Sequence, residues 1–271
     1  MSRFKDKVIW ITGGGSGIGL ALAIELASKG ARIIVSGRRE AKLNEATYFI
    51  NSKGGNCRAL PCDVTRYESL KTCVDIIIEE YGRLDVAVAN AGFAVNGRIE
   101  RITEEDWRRQ MDVNVVGLAQ TTRAALPALY DSGGQIVLIA SVAAFLGSEY
   151  SGAYCASKAA VRSIGLTLQL ELKNTGVSCT TIHPGFVESE IAQVDNRGKH
   201  NPNAPDKRPA KLMWTAEKAA KVMARAIAKR KREYVFTGHG KLGVFLGSHF
   251  PRFTLWLMGF GKRKPRAITS E

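Results

Sequence analysis

"KVIWITGGGSGIGLALAIELASKG", residues 7–30, is the unit from which the rest of the chain can be read. "KVIWIT" (7–12) is apolar without in/out alternation, as in a strand covered on both faces. A glycine-rich turn, "TGGGSGIG" (12–19), follows, and "GLALAIELASKG" (19–30) reads as a helix. Gly13, Gly17 and Gly19 let the backbone turn tightly and come close to a pyrophosphate. The helix start offers free N–H groups and the positive end of its dipole. Such glycines also suit a plain structural turn, so their placement between strand and helix carries the reading. No Gly-Lys-Ser/Thr follows, which excludes a P-loop.

Outward from this unit the pattern repeats. Strands are expected at 31–36, 57–64, 83–92, 134–141 and 177–185, and helices at 40–54, 67–81, 104–130 and 154–174. Alternating β and α elements imply a Rossmann-like, doubly wound parallel sheet with helices on both faces. After "IHPG" the rhythm breaks into a polar, proline-bearing stretch, 188–213, read as a loop that closes over a substrate. A helix at 215–232, begun by Thr215, and a strand at 233–238 close the pattern. The expected organisation is one cofactor-binding and catalytic domain, 1–238, containing that loop, and an extension, 239–271.

The net charge of +14 is segregated. Residues 1–196 are neutral, with 21 basic and 21 acidic residues, whereas 197–271 hold 18 basic and four acidic ones. A basic quarter of this kind suggests a surface facing something anionic. The amino terminus lacks the long apolar stretch of a signal peptide, and Cys57, Cys62, Cys73, Cys155 and Cys179 are scattered without a CxxC. Reduced thiols in a cytoplasmic protein are the expectation. The four histidines show no metal-ligand spacing, and no metal is expected.

The end of the second strand should meet the adenosine ribose, where an acid favours a free 2′-hydroxyl and arginine a 2′-phosphate. Here Gly37 stands in place of an acid, followed by Arg38 and Arg39. A guanidinium binds phosphate through two parallel hydrogen bonds, so NADP(H) is preferred over NAD(H). Further along, "YCASK" (154–158) sets Tyr154 four places before Lys158, on one helix face.

With "TGGGSGIG", "NAG" (90–92), Ser141, "YCASK" and "PG" (184–185) in that order, the sequence resembles the short-chain dehydrogenase/reductase family over about residues 5 to 238. The resemblance implies a seven-stranded parallel sheet and a nicotinamide cofactor. It makes Tyr154 the general acid/base, with Lys158 binding the nicotinamide ribose and depressing the tyrosine pKa. Ser141 would hydrogen-bond the substrate oxygen, and Asn114 would hold a water relaying protons to Lys158. Ser16 and Ile18 would complete the glycine-rich turn, Asp63 and Val64 flank the adenine, and Asn90, Ala91 and Gly92 line the cleft. Pro184, Gly185, Val187 and Ser189 would face the cofactor beyond the sixth strand; the family often has threonine where Ser189 stands. Homodimers or homotetramers through helices 104–130 and 154–174 are implied as well.

The chemistry needs such a pair. Free tyrosine has a pKa of about 10, and lowering it by ~3 units takes ~4 kcal/mol of preferential phenolate stabilisation. A unit positive charge ~4 Å away at an effective dielectric of ~20 supplies that much, so Lys158 together with the positive ring of an oxidised nicotinamide would suffice. Cys155, beside the tyrosine, reads as a space-filler rather than a nucleophile.

In the extension, Leu242, Phe245, Leu246, Phe250, Phe253, Trp256, Leu257 and Phe260 recur at helical spacing, followed by Lys262, Arg263, Lys264 and Arg266. Pro251, Arg252 and several glycines argue against a bilayer-spanning helix. An amphipathic segment ending in a basic cluster suits peripheral contact with anionic lipid; packing over the cleft or against another subunit suits it as well. The resulting expectation is an NADP(H)-dependent oxidoreductase acting on a hydrophobic ketone or alcohol (steroid-like, long-chain or sphingoid). A 3-oxoacyl-carrier-protein reductase is the enzyme alternative, and an idle cofactor-sensing interaction protein the non-enzyme one. Aromatic and apolar residues concentrated in the basic tail argue against nucleic acid as its partner.

Overall fold

A computed structural model describes residues 3–206 and 208–259. In chain order these form β1 (Val8–Thr12), α1 (Gly17–Ala27), β2 (Arg32–Gly37), α2 (Glu40–Ser52), β3 (Asn56–Pro61), α3 (Tyr67–Tyr81) and β4 (Val86–Ala89). Then come α4 (Glu104–Met111), α5 (Gly117–Ser132), β5 (Gln135–Ile139), α6 (Gly152–Glu171), β6 (Ser178–His183), α7 (Ala216–Ala228) and β7 (Glu233–Val235). Two further helices, α8 (Gly238–His249) and α9 (Pro251–Gly259), follow. The strands make one sheet in the order β3-β2-β1-β4-β5-β6-β7, every pairing parallel.

The absence of alternation in β1 is explained by two cores. Val8 and Trp10 pack on the face covered by α3, α5 and α6, while Ile9 and Ile11 pack on the face covered by α1, α2 and α7. Trp10 is fully buried, and its indole N–H is satisfied by Ser36 Oγ at 2.8 Å. β1 and β4 are neighbours whose following helices lie on opposite faces, so a crevice opens beyond their carboxyl ends. At the other edge Asp85 accepts from Lys7 Nζ (2.9 Å), the N–H of Val8 (3.0 Å) and both Nε and Nη2 of Arg83.

Three departures from the sequence reading bear on the site. The helix expected at 104–130 is continuous but carries a π-turn, Asp112–Val116, between α4 and α5. Such turns widen a helix by one residue and recur at functional sites; this one holds the buried Asn114. The last strand stops at Val235, because Thr237 instead caps α8, its Oγ1 accepting from the N–H of Gly240 at 3.2 Å. The extension is two helices that meet at Phe250, with Pro251 at the first position of the second. Phe260, Lys262, Arg263, Lys264 and Arg266 lie outside the described residues.

Candidate active site

The glycine-rich turn is built for close backbone approach. Gly13 has φ +68°, and a Cβ there would lie 2.9 Å from both Ala91 Cα and Asn90 Nδ2. A Cβ on Gly19 would sit 2.3 Å from the carbonyl oxygen of Gly13. Asn90 ties β4 to this turn, donating from Nδ2 to the carbonyl oxygens of Thr12 (2.9 Å) and Gly13 (3.2 Å). Ser16 stands at the start of α1 without capping it through its side chain, and the first turn of α1 holds no acid. A backbone cradle ending in an uncapped helix start fits a dinucleotide pyrophosphate.

From that cradle a cleft of ≈540 Å³ runs to the carboxyl ends of β5 and β6. Its wall includes Gly13, Ser16, Gly17, Ile18 and Gly19 at one end, with Arg38, Arg39, Asp63 and Val64 beside them. Asn90, Ala91 and Gly92 lie between, and Ser141, Tyr154, Lys158, Pro184, Gly185, Val187 and Ser189 close the other end. Ser141 leads out of β5 into a short 3-10 turn, where its Oγ accepts from the N–H of Ala143 at 3.1 Å. One helical turn separates Tyr154 from Lys158 on α6; the Lys158 Nζ lies 5.7 Å from the centre of the Tyr154 ring and donates to the Ile139 carbonyl at 2.8 Å. Asn114 does not line this wall. Its amide sits behind it, donating to Phe93 O (3.0 Å) and Ser157 Oγ (3.1 Å) and accepting from the N–H of Phe93. It thereby braces the exit from β4 against the helix that carries Tyr154.

The sequence model of the family described as short chain dehydrogenase matches residues 7–200. The chain belongs to this family. Among its relatives is an uncharacterized oxidoreductase of Staphylococcus epidermidis, 34% identical over 200 residues, covering 73% of this chain and 86% of the relative. An uncharacterized oxidoreductase of Staphylococcus aureus is 35% identical over 197 residues, covering 72% and 84%. A short chain dehydrogenase/reductase of Burkholderia phymatum, solved in complex with NAD, superimposes with TM-score 0.82 at 25% identity over 100% of both chains. An alcohol dehydrogenase of Thermococcus sibiricus, solved with 5-hydroxy-NADP, gives TM-score 0.74 at 27% identity, covering 86% of this chain and 97% of that one.

In this dehydrogenase burial is the first influence on the tyrosine. Burial pushes the Tyr154 phenol above its ordinary pKa; a hydrogen bond with Ser141 and the charge of Arg208 only partly oppose this. Burial also pulls Lys158 down to about 8, and no carboxylate among the described residues restores it. At neutral pH the lysine is an ammonium beside the phenol, and positive charge brought into the cleft would add to its effect.

Several residues of the site had no signal in the sequence. Arg208, from the long loop, lines the cleft and donates to the carbonyl oxygens of Val187 (2.9 Å) and Ser189 (3.0 Å). Glu190 pairs with Arg39 at 2.6 Å. His183, fully buried, places Nδ1 3.1 Å from the Ser141 carbonyl and Nε2 2.9 Å from Glu233, which also accepts from Arg162. Burial lowers the His183 pKa although the Ser141 carbonyl and Glu233 oppose it. These contacts join residues between 19 and 151 positions apart, across elements that local pattern reads separately.

Proposed function

We propose that this dehydrogenase moves a hydride between NADP(H) and a ketone or secondary alcohol of hydrophobic character. The observation that carries the reading is the single cleft that joins the glycine cradle and Arg38 at one end to Ser141, Tyr154 and Lys158 at the other. When bound, the nicotinamide supplies or accepts the hydride, and its oxidised ring brings positive charge. The chain does the rest. In the reducing direction Tyr154 Oη gives its proton to the carbonyl oxygen, and Ser141 Oγ–H holds that oxygen as negative charge develops. Lys158 keeps an ammonium beside the phenol and within reach of a ribose, and Asn114 holds the two walls in register. Arg38 and Arg39 favour a 2′-phosphate. Homodimers or homotetramers form through the helices over 104–130 and 154–174, where Val116 in the π-turn and Leu166 and Leu170 on α6 stand exposed.

The test is NADPH oxidation by the purified enzyme across ketones of graded chain length. The expected result is turnover that rises with apolar length; no turnover with any ketone, while NADPH binds, overturns the catalytic reading.

The substrate class is supported by the carboxyl-terminal helices. Gly240, Gly243 and Gly247 share one face of α8, where added Cβ atoms would meet Val142 Cγ1 (3.0 Å), Leu146 Cδ1 (3.1 Å) and Leu146 Cδ2 (2.5 Å). α8 therefore lies flush on the segment that follows Ser141, and a Cβ on Gly185 would strike Thr237 and His239. Bulky residues point away: Leu242, Phe245, Phe253, Leu255, Trp256 and Leu257 are all exposed. Residues 234–270 contain no acid, and no helix among the described residues is long and apolar enough to cross a membrane. An apolar face with cations and no anions suits docking in the plane of an anionic lipid surface, beside the cleft from which a hydrophobic substrate enters. Co-sedimentation with phosphatidylserine vesicles is expected for the enzyme and lost in Phe253→Ser/Leu255→Ser; equal soluble fractions with and without vesicles overturn it.

A further inference from the structure

An acid that dinucleotide folds keep at the end of the second strand is missing at Gly37, where an added Cβ would meet only Leu43 Cδ2, at 3.8 Å. A carboxylate nevertheless reaches that end of the cleft. Glu190 opens the 3-10 turn Glu190–Gln193 in the loop after β6, and its Oε2 accepts from Arg39 Nη2 at 2.6 Å, 151 residues away in sequence. The same Nη2 donates to Ser16 Oγ at 2.8 Å. Burial raises the Glu190 pKa, but Arg39 and Ser16 outweigh it and hold the carboxyl below its usual range, so it is charged at neutral pH. Ser16, Arg38, Arg39 and Glu190 line one cleft. The loop is seated there: a Cβ on Gly17 would touch Ser189 Cβ at 3.1 Å, and Arg208 ties the carbonyl oxygens of Val187 and Ser189.

We infer that Glu190 sets how strongly the enzyme prefers NADP(H) to NAD(H), by competing with the 2′-phosphate for Arg39. The inference rests on the nucleotide half of the proposed function and on none of the catalytic half. A guanidinium engaged by a carboxylate is neutralised and has lost donors that a phosphate would use. A 2′-phosphate arriving there also meets a like charge, whereas a 2′-hydroxyl meets an acceptor. NADP(H) therefore has to displace Glu190 from Arg39 and NAD(H) does not. The carboxylate that β2 lacks is delivered by the loop instead, which links cofactor choice to how that loop is seated.

The test is equilibrium titration of the full-length protein with NADPH and with NADH, followed by nicotinamide fluorescence. Glu190→Gln keeps the shape and removes the charge. It should tighten NADPH on the order of tenfold and change NADH by less than about threefold. Arg39→Gln should weaken NADPH, and adding Glu190→Gln to it should bring no further gain, because the contested donor is gone. An unchanged ratio of the two dissociation constants in Glu190→Gln, or the same gain in the Arg39→Gln background, overturns the inference while leaving the nucleotide site standing. Failure of the wild-type protein to bind either nucleotide overturns both.

Discussion

Two charges are buried to the same degree at opposite edges of the sheet, and the fold treats them in opposite ways. Asp85, at the amino end of β4, and Lys158, at the carboxyl edge, are each only 5% exposed. Asp85 is answered by two cations and a backbone N–H. Burial alone would raise its pKa, yet Arg83, Lys7 and Val8 hold it below the usual carboxylate range. Lys158 receives a carbonyl oxygen and, among the described residues, no counter-charge, and burial takes its pKa down to about 8. A buried charge with partners fixes structure; one without them costs stability and stays available to whatever enters the cleft. The two edges thus divide the labour: the amino edge anchors β1 to β4, and the carboxyl edge carries the proposed chemistry.

That division can be broken at either end. The largest expected effect is at the carboxyl edge: Tyr154→Phe should lower kcat/KM on the order of 10³-fold, while NADPH affinity measured by titration moves less than about threefold. Retained turnover in that variant would remove Tyr154 from its role. At the amino edge, Asp85→Asn should cost about 1–2 kcal/mol in urea unfolding and leave kcat of the folded enzyme unchanged, because it removes the charge that accepts from Lys7, Arg83 and Val8. Since the folded pKa of Asp85 is depressed, its contribution is present above the unfolded value near ~4 and lost as pH falls through the folded one. Acid unfolding of Asp85→Asn should accordingly be less steep; an identical pH profile would show the pairing to be worth nothing.

Lys158→Met sharpens the contrast, because activity and stability should move in opposite directions. The folded pKa of about 8 lies below the unfolded value near ~10.4, so the unfolded chain binds more protons between them and wild-type stability rises with pH across that window. The burial cost is complete below pH ~8. The methionine variant should be inactive, about 1–2 kcal/mol more stable at pH 7, and flat from pH 8 to 10 in thermal melts. A variant less stable than wild type at pH 7 would contradict this. The smallest effect is expected at Cys155, whose thiol burial pushes up and away from nucleophilic reactivity. Cys155→Ala should keep turnover within about twofold; a large loss would mean the thiol touches the reaction.

Much of the frame was legible because its signals are local. The apolar run of β1, the glycines of the turn and the four-residue spacing of Tyr154 and Lys158 each act within one or two turns of chain. α3 spans Tyr67–Tyr81 as read from its pattern, and Thr215 caps α7 through the N–H of Lys218. What escaped is non-local. Glu190 is one more polar residue in a proline-bearing loop until folding sets it on Arg39. The partners of Asn114, a residue of the π-turn, are Phe93 and Ser157, 21 and 43 positions away. The glycines of α8 look like dilution of an apolar stripe; in space they are the flat face that lets the helix lie on the segment after Ser141.

Hydrophobic periodicity and turn chemistry are properties of short stretches, so the sequence by itself determined the order of strands and helices and, through it, the crevice beyond β1 and β4. Burial and counter-charges are properties of the packed molecule. Only the tertiary structure could show that Lys158 has no carboxylate partner among the described residues while Asp85 has two cations, and that burial raises the phenol of Tyr154. The energy of a charge depends on everything within a few ångströms of it, and most of those neighbours arrive from elsewhere in the chain.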